Sequence, residues 1–346
     1  MTRTEQLEHM EICSRFGLGE LASVGRLGGT RSVSFVFRTD KGRWLVRRRF
    51  EGYCDPERLR FDHEAARFLA QNGAAVLAPL PTPDGAVCYR NDSGLWEVYP
   101  FVKGRRLADG DSGDVLALAK SLARLHEAGR SFQLRCDKLG PRGETDPDGL
   151  LMDMQRLEAE SPDAAEALIP YRKAVERAAA NLPLELYESL PHTLVHGDVQ
   201  PANVLMNDEA VAAFVDLDWL AWRPRIYDLA FAILCCCARH AKPIGAGDIW
   251  LLSQTPEFDP GVAVGFLSVY ESHSTPLTSD ERKSLPPQVM LTWSHVRVGC
   301  ALKAPERERL KLLTRDTESD GGASYIGRIM RSLTLKPQAI KRAKAR

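Results

Sequence analysis

Apolar and polar positions alternate differently in the two parts of this chain. Near the start, Val33, Phe35 and Phe37 recur at every second position, the period of a strand. Residues 44–49 read as its partner across a turn at Asp40-Lys41-Gly42, and a short helix over 4–16 precedes both. Asp55-Pro56 predicts a helix start, with proline at the first helical position, and Gly73 predicts its stop. A proline-rich connection over 78–83 leads to a predicted hairpin, 86–90 with 95–101, around Asn91-Asp92-Ser93-Gly94. After Gly104 the period becomes helical: Val115, Leu118, Leu122 and Leu125 share one face, and Gly129 closes the segment. Helical sequence continues over 150–180 and again from Leu229. The clear strand signal between them is 204–206, a turn at Asn207-Asp208, and 211–215. The pattern predicts a small β-rich unit followed by a large helical unit carrying one hairpin, with a small-molecule cleft between them.

Composition narrows the classes. The chain has 346 residues, 44% hydrophobic and 27% charged, which suits a globular protein with a real core. Its 46 basic and 46 acidic residues cancel, so neither nucleic acid nor a membrane is an expected partner. No obligate protein partner is evident. The apolar run over 229–238 is too short for a bilayer, which needs roughly 20 residues. Residues 1–11 lack the apolar stretch of a secretory signal. The eight cysteines form no CxxC pair, which reads as small buried side chains in a reducing cytoplasm.

The chemistry concentrates in 194–230. His196-Gly197-Asp198 follows an apolar Leu194-Val195, Asn203 comes five residues after Asp198, and Asp216 ends the hairpin. A carboxylate, an amide and a second carboxylate thus meet at one edge. Carboxylate and amide oxygens suit a hard cation such as Mg²⁺, and a free carboxylate beside them can accept a proton from a hydroxyl.

This segment closely resembles the family of aminoglycoside phosphotransferases, choline kinases and homoserine kinases, which shares the protein-kinase-like fold. HGD, four residues, Asn, an aspartate after a hairpin and then Tyr227-Asp228-Leu229-Ala230 carry the resemblance, which covers roughly residues 20–235. It implies an α+β, bilobal fold: a nucleotide-binding lobe over 1–103 and a helical lobe over 104–335 with the catalytic loop and acceptor site; the Lys/Arg-rich end over 336–346 reads from its composition as a solvated basic tail. The resemblance makes Asp198 the catalytic base, Asn203 and Asp216 the Mg²⁺ ligands, and His196 and Asp228 the shapers of the loop. The role of Asp218 stays open.

Upstream, the resemblance implies a phosphate-covering turn, which 27–32 fits with Gly28, Gly29 and Thr30. It implies a strand cation for the nucleotide phosphates, where Arg47 stands in place of the usual Lys. Arg is a wider, forked donor. Leu45, Arg47 and Arg49 share one strand face. A helix carboxylate is implied to pair that cation, and Glu64 is so placed. The other reading of Glu64 is a surface acid paired along its own helix. The nucleotide base is expected near Tyr99 and Phe101, on the strand that joins the lobes.

The resulting expectation is an ATP- and Mg²⁺-dependent kinase of a small-molecule hydroxyl: antibiotic-like, amino alcohol or sugar. Residues 241–346 hold 16 Lys/Arg and 11 Asp/Glu, which argues against a strongly cationic acceptor. Trp219, Trp222 and Trp293 are read as acceptor-pocket or core residues. The alternatives are a protein Ser/Thr kinase of the same fold, disfavoured by the short segment between Asp216 and Asp228, and a non-catalytic nucleotide-binding regulator.

Overall fold

The two-residue alternation near the start does build a sheet. In the computed structural model, which describes residues 2–28, 31–242, 254, 256–314 and 325–334, five strands form one antiparallel sheet. They are β1 (Leu21–Gly28), β2 (Val33–Thr39), β3 (Gly42–Arg49), β4 (Tyr89–Asn91) and β5 (Gly94–Pro100), in the order β1-β2-β3-β5-β4. Helix α1 (Arg3–Arg15), capped by Thr2 and Glu5, covers one face. There its Ile12 and Cys13 meet Phe37, Val46, Trp96 and Val98. The opposite face carries Leu45, Arg47 and Arg49, as the alternation requires. Register sets Arg47 opposite Glu97 and Leu45 opposite Tyr99.

Asp55 accepts the N–H groups of Glu57 and Arg58 and starts α2 (Pro56–Gln71). Phe61, Ala65 and Leu69 of α2 join the larger hydrophobic core rather than the core under α1. The helix therefore belongs by sequence to the first hundred residues and by packing to the second unit.

That second unit begins with β6 (Arg105–Arg106) and the buried helix α3 (Ser112–Gly129). Then come α4 (Pro147–Glu160), α5 (Ala165–Asn181), α6 (Leu184–Ser189) and β7 (His192–Val195). The predicted hairpin is β8 (Val204–Asn207) and β9 (Ala210–Phe214), followed by β10 (Ala221–Pro224) and α7 (Ile226–Cys235). A short pair, β11 (Ala238–Arg239) and β12 (Glu257–Phe258), precedes α8 (Pro260–Ser272), α9 (Ser279–Lys303), α10 (Glu306–Thr314) and α11 (Tyr325–Thr334). The 25-residue α9 packs on α4, α5 and α7, and α3 packs on α8 and β7.

Two features depart from the sequence reading. β7 pairs with β10, and β6 adds to β8, so the hairpin is not the sole β-structure in this unit. These strands have two or four residues, too few to show a period, and they exist because the chain ends around the catalytic loop are brought together. The basic tail over 336–346 and the turn residues Gly29 and Thr30 lie outside the described residues. Cys235, Cys236 and Cys237 are buried in the core, as expected of small apolar side chains. Among the described residues, no helix is long and apolar enough to cross a membrane.

Candidate active site

The catalytic segment hangs between β7 and β8, and buried hydrogen bonds fix its shape. Asp228, at the start of α7, accepts the backbone N–H of His196 at 2.6 Å and of Gly197 at 2.8 Å. His126 Nε2 donates to the same carboxylate at 3.1 Å, while the Tyr270 hydroxyl holds the other ring nitrogen at 2.7 Å. His196 accepts the Asp198 N–H at Nδ1 (3.2 Å) and donates from Nε2 to the Val215 carbonyl (3.0 Å). That pattern assigns it the neutral Nε2–H tautomer. His196 thereby ties the loop before β8 to the end of β9. Gly197 has φ 84°, and an added Cβ would overlap the carbonyl oxygen of Trp219.

Asp198 then faces the cleft. Its carboxylate accepts Gln200 Nε2 at 2.8 and 2.9 Å and Asn203 Nδ2 at 2.7 Å. Desolvation in the cleft pushes its pKa up to about 6, against the lowering effect of the Gln200 and Asn203 bonds. Both Asn203 amide hydrogens point to Asp198, one to the backbone oxygen at 3.0 Å, which leaves Oδ1 turned away. The Val215 N–H donates to the Asn203 carbonyl at 3.0 Å, so the residue before Asp216 is bonded directly to Asn203. Asp216 itself takes a left-handed conformation, φ 61°, and its side chain is 49% exposed toward the cleft. One carboxylate and one free amide oxygen at the same edge are hard donors that leave room for water and phosphate oxygens, the surroundings Mg²⁺ prefers.

The strand cation has an arrangement the sequence did not show. Arg47 is nearly buried and makes a two-pronged contact with Asp218, Nη1 to Oδ1 at 3.0 Å and Nη2 to Oδ2. Nη2 also reaches Ser32 Oγ at 3.0 Å and Asp216 Oδ1 at 3.2 Å. Glu97 stands 4.0 Å away. Arg49 pairs with Glu97 at 2.9 Å and with Asp62, and Lys138 also bonds Asp62. Glu97 also accepts His63 Nε2 at 2.6 Å and the Tyr99 hydroxyl at 3.1 Å. Burial alone would raise the Asp218 pKa, but Arg47 and Arg49 outweigh it and hold the carboxylate below its usual range.

Glu64 is therefore not the partner of Arg47. Its carboxylate takes Arg60 at 2.8 Å along α2, and both side chains are exposed. The inward-facing acid of α2 is Asp62, two residues earlier and buried. Asp62, Glu97, Lys138 and Gln200 went unassigned in the sequence. Two arginines on one strand face were the available signal that carboxylates had to stand opposite, and Glu97 lies directly opposite Arg47 on β5.

Asp198, Asn203, Asp216 and Arg47 line one cleft of about 510 Å³ between sheet and helices. Leu27, Leu45, Tyr99, Phe101, Leu205 and Phe214 line its apolar end. Gly28 ends β1 opposite Ser34 at the rim. Glu144, Trp219, Tyr227, Phe231, His295 and Lys303 line the cleft too, with Glu144 3.5 Å from His295. Of the three tryptophans considered, Trp219 lines the cleft, Trp293 stacks on Tyr171 in the core, and Trp222 lies under Arg135.

A model of the phosphotransferase enzyme family matches residues 24–265. The chain belongs to that family. This phosphotransferase is 26% identical over 280 residues to a homoserine kinase of Gluconobacter oxydans, covering 78% of this chain and 79% of that one. It is 28% identical to a homoserine kinase of Granulibacter bethesdensis over 64% of this chain and 68% of that one. Among solved structures, it resembles an aminoglycoside phosphotransferase from Alicyclobacillus acidocaldarius at TM-score 0.67 and 16% identity, covering 95% of each chain. A spectinomycin phosphotransferase in complex with ADP and spectinomycin gives 0.65 and 14%, over 94% of this chain and 98% of that one. The protein has the protein-kinase-like α+β fold of these structures. It is a small-molecule kinase, an ATP-dependent phosphotransferase acting on a hydroxyl group.

Proposed function

We propose that this phosphotransferase transfers the γ-phosphate of ATP to the hydroxyl of a small amino alcohol, with Asp198 as the base. The observation that carries the reading is the convergence of Asp198, Asn203 and Asp216 on one wall of the cleft, beside Arg47. Gln200 and Asn203 hold the Asp198 carboxylate in one orientation, so it can align an acceptor hydroxyl and take its proton. Arg47 faces the phosphates, and the apolar end with Leu45, Tyr99 and Phe101 takes the base. Asn203 and Asp216 would hold Mg²⁺, which when bound neutralises charge on the phosphoryl group. Most of the rate enhancement is positioning and electrostatics.

The acceptor end supports an amine. Glu144 stands there among Trp219, Tyr227 and Phe231, 3.5 Å from His295. Burial lowers the His295 pKa, so at neutral pH it offers Glu144 no full counter-charge. One carboxylate among aromatic rings, with Lys303 also lining the cleft, suits at most a single ammonium group and not a polycation. The segment between Asp216 and Asp228 is filled by a short helical turn and β10, which favours a small acceptor over a polypeptide.

The test measures Mg²⁺-dependent ADP release with paired alcohols differing only in an amino group, and identifies products by mass spectrometry. Asp198→Asn is expected to cut transfer by roughly 10²–10⁴-fold while ADP still binds. Near-normal transfer in that variant rules out Asp198 as base. Preference for the amine-free partner rules out the amino-alcohol acceptor.

A further inference from the structure

Asp218 holds the phosphate-facing arginine from the far side of the cleft. A lysine is a point charge and needs one neighbour to aim it, whereas a guanidinium is a planar fork that is fixed only by acceptors in its own plane. Asp218 supplies such acceptors: its two carboxylate oxygens take both terminal nitrogens of Arg47. It is itself immobilised. Its side chain is 6% exposed, and its backbone oxygen accepts Arg58 Nη2 at 2.8 Å and Lys138 Nζ at 3.5 Å. Glu97, directly across the strand, stands 4.0 Å from Arg47 and is instead taken by Arg49 and His63. Asp62, the buried acid of α2, pairs with Arg49 and Lys138. Neither Glu97 of the sheet nor Asp62 of α2 is thus free to aim Arg47. Meanwhile Arg47 Nη2 also bonds Asp216, two residues from Asp218 on the same helical turn.

We propose that Asp218 is the positioning residue for Arg47, so that phosphate recognition depends on the loop that also carries Asp216. This rests on the reading above, in which Arg47 meets the nucleotide phosphates and Asp216 the metal. The helix carboxylate is thereby relieved of that task. The orientation of Arg47 is set mainly by the helical lobe, with Ser32 Oγ of the sheet lobe a further acceptor, and the phosphate cation and the metal carboxylate move as one unit.

The experiment is ADP binding by calorimetry with the full chain, in EDTA and in Mg²⁺, for wild type, Asp218→Asn, Asp218→Glu, Arg47→Gln and the double variant Arg47→Gln/Asp218→Asn. In EDTA, Asp218→Asn is expected to weaken ADP binding roughly tenfold or more, as much as Arg47→Gln does. The double variant is expected to be no weaker than either single one, because both remove the same contact. Asp218→Glu keeps the charge and is expected to recover part of the affinity, which a merely structural role would not produce. Thermal unfolding checks each variant. If Asp218→Asn does not fold, Asp218→Glu is compared in the wild-type and Arg47→Gln backgrounds: an equal change in ADP affinity in both overturns the proposal. Wild-type affinity in Asp218→Asn, or additive losses in the double variant, overturns it too. Wild type that binds no ADP at all overturns the reading beneath it instead.

Discussion

At Asp198, two amide donors and a buried setting pull in opposite directions. Burial raises the pKa to about 6, and the Gln200 and Asn203 bonds restrain that rise. As the proposed base, Asp198 must be ionised to work, so the acid limb of kcat/KM is expected near pH 6. Gln200→Ala removes a donor that favours the ionised form, which moves that limb to higher pH. A pH–rate profile of the two proteins checks this, and an unmoved limb shows that Gln200 does not tune the base. Asp198, Asn203 and Asp216 were all legible in the sequence because their spacing along one segment already places them together. Gln200 lies inside that segment, but no spacing rule distinguishes a clamp from a solvated glutamine. Glu64 shows the limit most plainly. It lies on the correct helix, two residues from the acid that faces inward, and helix phase against a particular sheet decides which of them does so.

Among the elements, the β8–β9 hairpin was readable because Asn207-Asp208 and the flanking apolar runs are local signals. β7 and β10 were not, because each is four residues long and is stabilised by the other across the catalytic loop. That loop turns at Gly197 with a positive φ and with no room for a side chain beside Trp219. Gly197→Ala combines backbone strain with a clash against main chain. It is expected to destabilise the fold by roughly 1–3 kcal/mol or more and to lower kcat more than ADP affinity. Chemical denaturation and steady-state kinetics test both. A variant with wild-type stability would show that the loop relaxes freely.

Across the whole molecule, the sheet and the helical unit are joined by buried charges as well as by apolar packing. Arg47 and Arg49 reach the Asp218 carboxylate from the sheet, Arg58 of α2 takes its backbone oxygen, and Lys138 links Asp62 to the carbonyl of Leu220. A buried pair offsets its own desolvation at best, so the informative change is the loss of one partner. Glu97 is the clearest case. Burial alone would raise its pKa, but His63, Arg49 and Arg47 outweigh this and hold it at about 2. Its folded value is depressed, so its contribution to stability is complete above about pH 4.5 and is lost as the pH falls toward 2. The loss is of order 3 kcal/mol, at about 1.4 kcal/mol per pH unit. Urea unfolding followed from pH 5 to pH 2 is expected to show this decline, and Glu97→Gln is expected to be less stable at pH 7 and flatter below pH 4.5.

Local sequence settled the order of a β-rich part and a helical part, the caps of α2, and the bringing together of the candidate residues between His196 and Asp228. Each of these depends on residues a few positions apart, where dihedral preferences and hydrophobic period act directly. The tertiary structure decided which carboxylate meets which arginine. Arg47 and Asp218 lie 171 positions apart in the chain yet share two hydrogen bonds. Coulomb attraction depends on separation in space, and two lobes must pack before that separation exists.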